Sequence, residues 1–193
     1  MIINYSDQPV MTGKTSIFLA GPTPRNKSVP SWRPDAIKYL EDHHFKGVVY
    51  VPEYSTGEPM ADYIAQVEWE RKALLNASVI VFWIPRKIPE MMALTTNVEF
   101  GYYLHTRKVI YGRPEGSEKN KYLDWLYEED TDLKPFTDLN EMLGIAMTSA
   151  KFIGPRNNPE FLPIADRKII VEGNNTSAKS GLFARKTNTR RKS

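Results

Sequence analysis

The residue whose type and surroundings are best suited to covalent chemistry is Glu99, in the run LTTNVEFGYYL at 94–104. A carboxylate near the start of a helix, beside a ligand crevice, can serve as a nucleophile or as a base. The same residues also have a purely structural reading. Thr96-Asn97-Val98-Glu99 fits a T-x-x-E capping box, in which the glutamate reaches back to a backbone N–H and satisfies the helix end. Gly101 costs on the order of 1 kcal/mol inside a helix and therefore leads one to expect close approach of another group.

A second source of chemistry is the loop AGPTPRNKSVPSWRP at 20–34. Gly21 permits a sharp turn, while Thr23, Arg25, Ser31 and Arg33 offer donors for sugar or phosphate oxygens; the alternative is a proline-rich loop with a solvated arginine. Neither G-x-G-x-x-G nor a GK[ST] pair after a glycine-rich run is present. Trp32, Tyr54 and Trp83 could sandwich a flat base, although core packing explains each one singly. Trp69 is read as structural. Glu53, Glu58 and Asp62 could supply a second carboxylate to hold a hydroxyl or act as general acid, against the plainer reading of solvated loop acids. His43, His44 and His105 show no metal-ligand spacing and there is no cysteine, so neither a metal nor another cofactor is expected.

The elements that must position these residues alternate in type. Short apolar strands are predicted at 16–20 (SIFLA), 48–51 (VVYV), 78–84 (SVIVFWI) and 108–111 (KVIY), with weaker signals at 134–137 and 169–171 and a short edge strand within 1–11. Helices are predicted at 34–44, 61–77, 96–107, 122–129 and 139–148. Continuous apolar strands separated by amphipathic helices imply a parallel sheet covered on both faces. With right-handed crossovers, the economical solution is an α/β, flavodoxin-like, doubly wound sheet of about five strands in three layers. Ligands bind such sheets beyond the carboxyl ends of the strands, which directs attention to the loops 21–31, 52–60, 85–95 and 112–119.

The chain has 193 residues, 41% of them apolar, which fits one domain with a well-buried core. Its charge is unevenly spread. Residues 173–193 carry six lysines and arginines and no acid, so the overall +3 is a −3 body with a +6 end. A folded domain over 1–172 and a basic, flexible tail over 173–193 are expected, and the tail alone motivates any thought of nucleic-acid contact. No membrane span is expected. Absence of cysteine and of an N-terminal apolar segment fits a cytoplasmic protein.

Taken together, IFLAGPTPR, SWRP at 31–34, VYVPE at 49–53, EWE at 68–70, VFWIPR at 81–86 and TTNVEFGYYLHTRKVIYGRP at 95–114 resemble the nucleoside 2-deoxyribosyltransferase-like family. The resemblance covers roughly residues 15–143 and implies a flavodoxin-like homo-oligomer that cleaves N-glycosidic bonds of nucleosides or nucleotides. It implies that Glu99 is the nucleophile, trapping an oxocarbenium-like C1′ as a glycosyl-enzyme that an acceptor base or water resolves. Gly21, Pro22, Thr23, Arg25, Trp32, Glu53, Asp62, Trp83, Thr96 and Asn97 are the residues expected to contact substrate. The chain departs from the family pattern where aspartates usually stand: Trp83, Ile84, Pro85 and Ala93 occupy those places. No general acid is therefore identified, and Arg25 and Arg33 favour a nucleotide over a plain nucleoside. The alternatives are an N-glycoside hydrolase acting on nucleotide or NAD-type substrates and a non-catalytic nucleotide sensor.

Overall fold

Alternation of apolar side chains between two covered faces builds the sheet. In the computed structural model, which describes residues 1–24, 29–57 and 62–156, five parallel strands form one sheet. They are β1 (Ile2–Tyr5), β2 (Ser16–Ala20), β3 (Val48–Val51), β4 (Val79–Trp83) and β5 (Val109–Gly112), in the order β1-β3-β2-β4-β5. Every residue of β2, β3, β4 and β5 is buried, so the continuous apolar runs are explained by cover on both faces. Phe18, Ala20, Ile80 and Phe82 point to one face, and Ile17, Leu19, Val79 and Val81 to the other.

On the first face lie α2 (Tyr63–Asn76), α3 (Leu94–Tyr103) and α4 (Lys121–Thr131). Phe100 of α3 is fully buried with its ring 5.4 Å from Phe82 and 5.0 Å from Tyr111, both at edge-on angles. Such aromatic pairs add on the order of 1 kcal/mol to area burial, and they fix the depth at which α3 sits on the sheet. On the opposite face α1 (Arg33–Asp42) and α5 (Leu139–Ile153) pack Ala36, Leu40, Met142, Leu143 and Ala146 against β2 and β4.

Local signals set the helix ends. Asp62 caps α2, accepting from the N–H groups of Ile64 and Ala65 at 2.9 and 3.1 Å. Asp138 caps α5 through Glu141 N at 2.8 Å. Lys108, buried just before β5, donates through Nζ to the carbonyls of Leu74 and Leu75 at 2.9 and 3.1 Å and so closes the other end of α2.

Two expectations need correction. The weak strand at 134–137 amounts to a single parallel bridge between Phe136 and Gly112, and the fifth strand is instead β1 at the sheet edge. The signal at Phe136 reflects a loop that closes on the end of β5: Arg113 N donates to Phe136 O at 2.8 Å. Gly101 is exposed with nothing near the place of a Cβ, so no close approach explains it. The strand signal at 169–171 and the basic tail at 173–193 lie outside the described residues, as do Arg25 and Glu58.

Candidate active site

The strand order reverses at β2: the chain leaves it for β3 on one side and later returns to β4 on the other. Such a switch point leaves a crevice beyond the carboxyl ends of the two central strands. A cavity of about 330 Å³ opens there, lined by the end of β2 and its loop (Phe18, Ala20, Gly21, Pro22, Thr23), by Arg33, Pro52, Gln66 and Glu70, and by residues 92–96 and Glu99.

Gly21 makes the first wall possible. Its φ of +151° suits glycine, and a Cβ there would stand 2.2 Å from the carbonyl oxygen of Trp83. The backbone of the loop thus rests directly on the end of β4. Trp32 lies beneath it, buried among Leu19, Val81 and Trp83. Trp32 and Trp83, expected to stack on a base, are core residues of the α1/α5 face and do not line the cavity.

Arg33 holds this wall in place. Its side chain is fully buried and donates from Nε to Leu19 O at 3.1 Å, from Nη2 to Gly21 O at 2.7 Å and from Nη1 to Thr23 Oγ1 at 3.0 Å and Glu53 Oε1 at 2.5 Å. Ser31 Oγ donates to the same Glu53 oxygen at 3.2 Å. Burial pushes the guanidinium below its ordinary value, and the Glu53 carboxylate works against that shift. Glu53 is thereby committed to Arg33, and Arg33 to the loop backbone. Asp62 is likewise occupied as the α2 cap and lies away from the cavity.

The opposite wall is α3. It begins after Ala93, whose left-handed φ of +56° turns the chain sharply into the helix, and no side chain caps it. Helix entry at Leu94 puts Glu99 on the second turn, so the capping box expected for Thr96 to Glu99 does not form. The Glu99 carboxyl faces the cavity instead. Thr96 is buried and lines the cavity close to the helix entry, where the first backbone N–H groups have no acceptor within the helix. Asn97 turns away: its Oδ1 accepts a hydrogen bond from Arg86 Nη2, and Arg86 Nη1 donates to Lys119 O at 2.8 Å. The loop 112–119, expected beside the ligand, therefore buttresses the β4–α3 loop from behind.

One functional feature escaped the sequence reading. Glu70 of α2 borders the same cavity as Glu99, and the two carboxyls are within hydrogen-bonding reach. Glu70 Oε1 also accepts from Gln66 Nε2 at 2.8 Å. Burial, then the Glu70 charge, then the hydrogen bond to Glu70 push the Glu99 carboxyl up to about 8; Arg33 pulls the other way. Burial also raises Glu70. Two carboxyls packed together in a low-dielectric wall retain a proton between them near neutral pH. In the sequence, Glu68 and Glu70 look alike among the charges of an amphipathic helix. The usable signal is the i,i+4 spacing of Gln66 and Glu70 around the buried Trp69.

A second opening of about 310 Å³ lies between α2 and α3, bordered by Tyr63, Val67, Arg71, Val98 and Tyr102, and it shares Gln66, Glu70, Thr95 and Glu99 with the first. The acidic pair thus forms the partition between two openings.

Among the described residues no helix is long and apolar enough to cross a membrane. No curated protein matches the chain at the level of sequence. The family model described as nucleoside 2-deoxyribosyltransferase like matches residues 14–117, more than half of the chain, and its span contains β2 through β5 and every residue that lines the cavity. The carboxylate-lined crevice at the switch point and this match agree, and the chain belongs to the nucleoside 2-deoxyribosyltransferase-like family.

Proposed function

We propose that the protein cleaves or exchanges the N-glycosidic bond of a nucleoside, with Glu99 as nucleophile. The observation that carries this reading is the placement of Glu99: a carboxyl with no capping duty, half-buried in the wall of a cavity at the topological switch point. As C1′ develops oxocarbenium character, a carboxylate held there stabilises the charge and then bonds to the carbon, while the C1′–N electron pair leaves with the base. An incoming base nitrogen or a water oxygen then attacks C1′, and the electron pair of the ester bond returns to Glu99.

A nucleoside fits the lining better than a nucleotide. Arg33, expected to bind phosphate, is the one cation among the described residues of the main cavity, and its charge is already met by Glu53. The cavity walls are otherwise threonine, glutamine, glutamate and apolar groups, suited to sugar hydroxyls and a flat ring.

The test is incubation with a panel of ribo- and deoxynucleosides, their monophosphates and NAD, each with and without an acceptor base. Nucleosides should be consumed, and Glu99→Gln should lower turnover by at least about a thousandfold while substrate still binds. A new nucleoside in the presence of acceptor identifies transfer, and free base alone identifies hydrolysis. Tight binding with neither product overturns the enzymatic reading in favour of a sensor.

A further inference from the structure

We infer that Glu70 is the proton-holding partner of Glu99: the two carboxyls share one proton at rest, and the nucleophile is released as an anion when that proton moves onto Glu70. This inference rests on the reading of Glu99 as nucleophile and adds a second residue to the same site.

The geometry carries it. The two side chains come from different helices, α2 and α3, and meet at the partition between the two openings, where each faces the space a substrate would fill. Both side chains border both openings, and two anionic carboxylates have no reason to share one partly dry wall unless a proton lies between them. Gln66 Nε2 donates to Glu70 Oε1, so a protonated Glu70 carries its proton on the other oxygen. No basic residue takes Glu70 as an ion-pair partner among the described residues.

The other ionisable groups around the pair leave it in charge of its own proton. From α1, Arg33 exerts only a lesser pull, because Glu53 at the end of β3 neutralises it at 2.5 Å. Arg71 of α2 lies against the Tyr102 ring of α3, 5.8 Å from its centroid, and Tyr63 and Tyr103 complete the second opening. Neither Arg71 nor a tyrosine contributes to the shift of Glu99, which comes from burial and from Glu70.

The proton inventory balances without an outside reagent other than water. The proton passes from the Glu99 carboxyl to the Glu70 carboxylate. A Glu99 oxygen then forms a bond to C1′ as the C1′–N bond breaks, and the departing base takes its own proton from water. When the acceptor attacks, its own N–H or O–H proton goes to the hydroxide left by the first half, the C1′–O bond to Glu99 breaks with its electron pair returning to Glu99, and the proton on Glu70 is shared again. Glu70 acts through Glu99, so it is a positioning residue.

The experiment compares wild type, Glu70→Gln and Glu70→Asp by two readouts. The first is NMR titration of isotope-labelled glutamate carboxyls, with Glu99 assigned by its absence from Glu99→Gln. The second is the pH profile of kcat/KM for the nucleoside consumed fastest. In Glu70→Gln the competing charge is gone and an amide N–H can donate to Glu99. The Glu99 midpoint should therefore fall by at least about one unit from near 8, staying above ordinary because burial remains. Wild type, which frees Glu99 by moving the proton within the pair, should hold its kcat/KM well below the Glu99 midpoint, whereas Glu70→Gln has no acceptor for that proton and its rate should fall about tenfold per pH unit below its own midpoint. Glu70→Asp keeps a carboxyl but shortens its reach and should give a smaller shift. An unmoved Glu99 titration in Glu70→Gln overturns the inference, and so does a wild-type rate that already falls away at the Glu99 midpoint near 8. If no nucleoside is consumed at all, the functional reading of Glu99 falls, whereas the carboxyl titration still decides whether the pair shares a proton.

Discussion

Arg33 Nη1 lies 2.5 Å from Glu53 Oε1, and the same guanidinium binds the carbonyls of Leu19 and Gly21. One side chain thereby ties the end of β2, the start of α1 and the end of β3 into the floor of the cavity. A planar fork is needed, because acceptors in three directions must be met at once. Arg33→Met should destabilise the fold by about 3 to 5 kcal/mol, since it leaves Glu53 partly buried without its counter-charge and two carbonyls without donors. Arg33→Lys should recover less than half of that loss. The double variant Arg33→Met with Glu53→Gln should be more stable than Arg33→Met alone. Urea unfolding checks all three, and a loss under about 1 kcal/mol in Arg33→Met would show that the pair is not structural.

Gly21 offers a second test of the same wall. With a φ of +151° and a Trp83 carbonyl oxygen 2.2 Å from the Cβ position, Gly21→Ala must displace the loop from the end of β4. The expected cost is about 2 to 3 kcal/mol in stability, together with a rise in KM larger than any change in stability predicts. Gly57, also at positive φ but with open space around it, is the control: Gly57→Ala meets only backbone strain and should cost about 1 kcal/mol with KM unchanged. Equal effects at the two positions would remove the special role assigned to the Gly21 contact.

How far the sequence could be read follows from which interactions are local. Strands β2 to β5 were legible because burial on both faces leaves continuous apolar runs, and the five helices because their one-sided burial leaves a period in the chain; SVIVFWI could hardly be anything but a covered strand. The placement of Glu99 was legible only in outline. Its motif admits a capping box, and what excludes the box is helix entry at Leu94 through the left-handed Ala93, which no local pattern announces. Asp62 and Glu53 looked available because a loop acid shows no partner in sequence, yet one caps α2 and the other neutralises an arginine twenty residues away. Trp32 and Trp83 stand next to site loops in sequence but pack on the other side of the sheet: Trp83 because alternate residues of β4 point opposite ways, and Trp32 because it leads into α1 on that face. Glu70 stayed hidden for the converse reason: its partner is 29 positions distant and only the packing of α2 beside α3 joins them.

The support behind the site can be probed at Asn97. Arg86 links Asn97 Oδ1 to the carbonyl of Lys119, so this bond ties the first turns of α3 to the loop after β5. Asn97→Ala leaves a buried guanidinium short of one acceptor and should cost about 1 to 3 kcal/mol. Asn97→Asp restores an acceptor and adds a charge-assisted bond, so it should be at least as stable as wild type. Because the residue faces away from the cavity, Asn97→Asp should leave KM within about twofold. A large rise in KM for that variant would place Asn97 in contact with substrate after all. Thermal unfolding and steady-state kinetics of the pair of variants separate the two cases.

The last prediction concerns stability against pH. The Glu99 carboxyl is pushed up to about 8 from 4.5, chiefly by burial and then by Glu70. A carboxyl whose folded value exceeds its unfolded value binds its proton more tightly in the folded state. Its contribution to stability is therefore complete below about 4.5 and is lost as the pH rises through about 8. Between about pH 5 and about pH 8 the wild-type protein should lose stability steadily from this group. Glu99→Gln keeps the shape of the side chain but carries no proton to lose, and it also relieves Glu70 of a neighbouring charge. Its stability should be flatter across that range and exceed that of wild type toward the alkaline end, even though turnover is abolished. Urea midpoints measured for both proteins at several pH values provide the check: parallel curves would mean that Glu99 ionises as easily in the folded chain as in the unfolded one. A carboxyl kept in its protonated form imposes this trade, because the dry wall that would make its anion reactive is the same wall that makes the anion costly to hold.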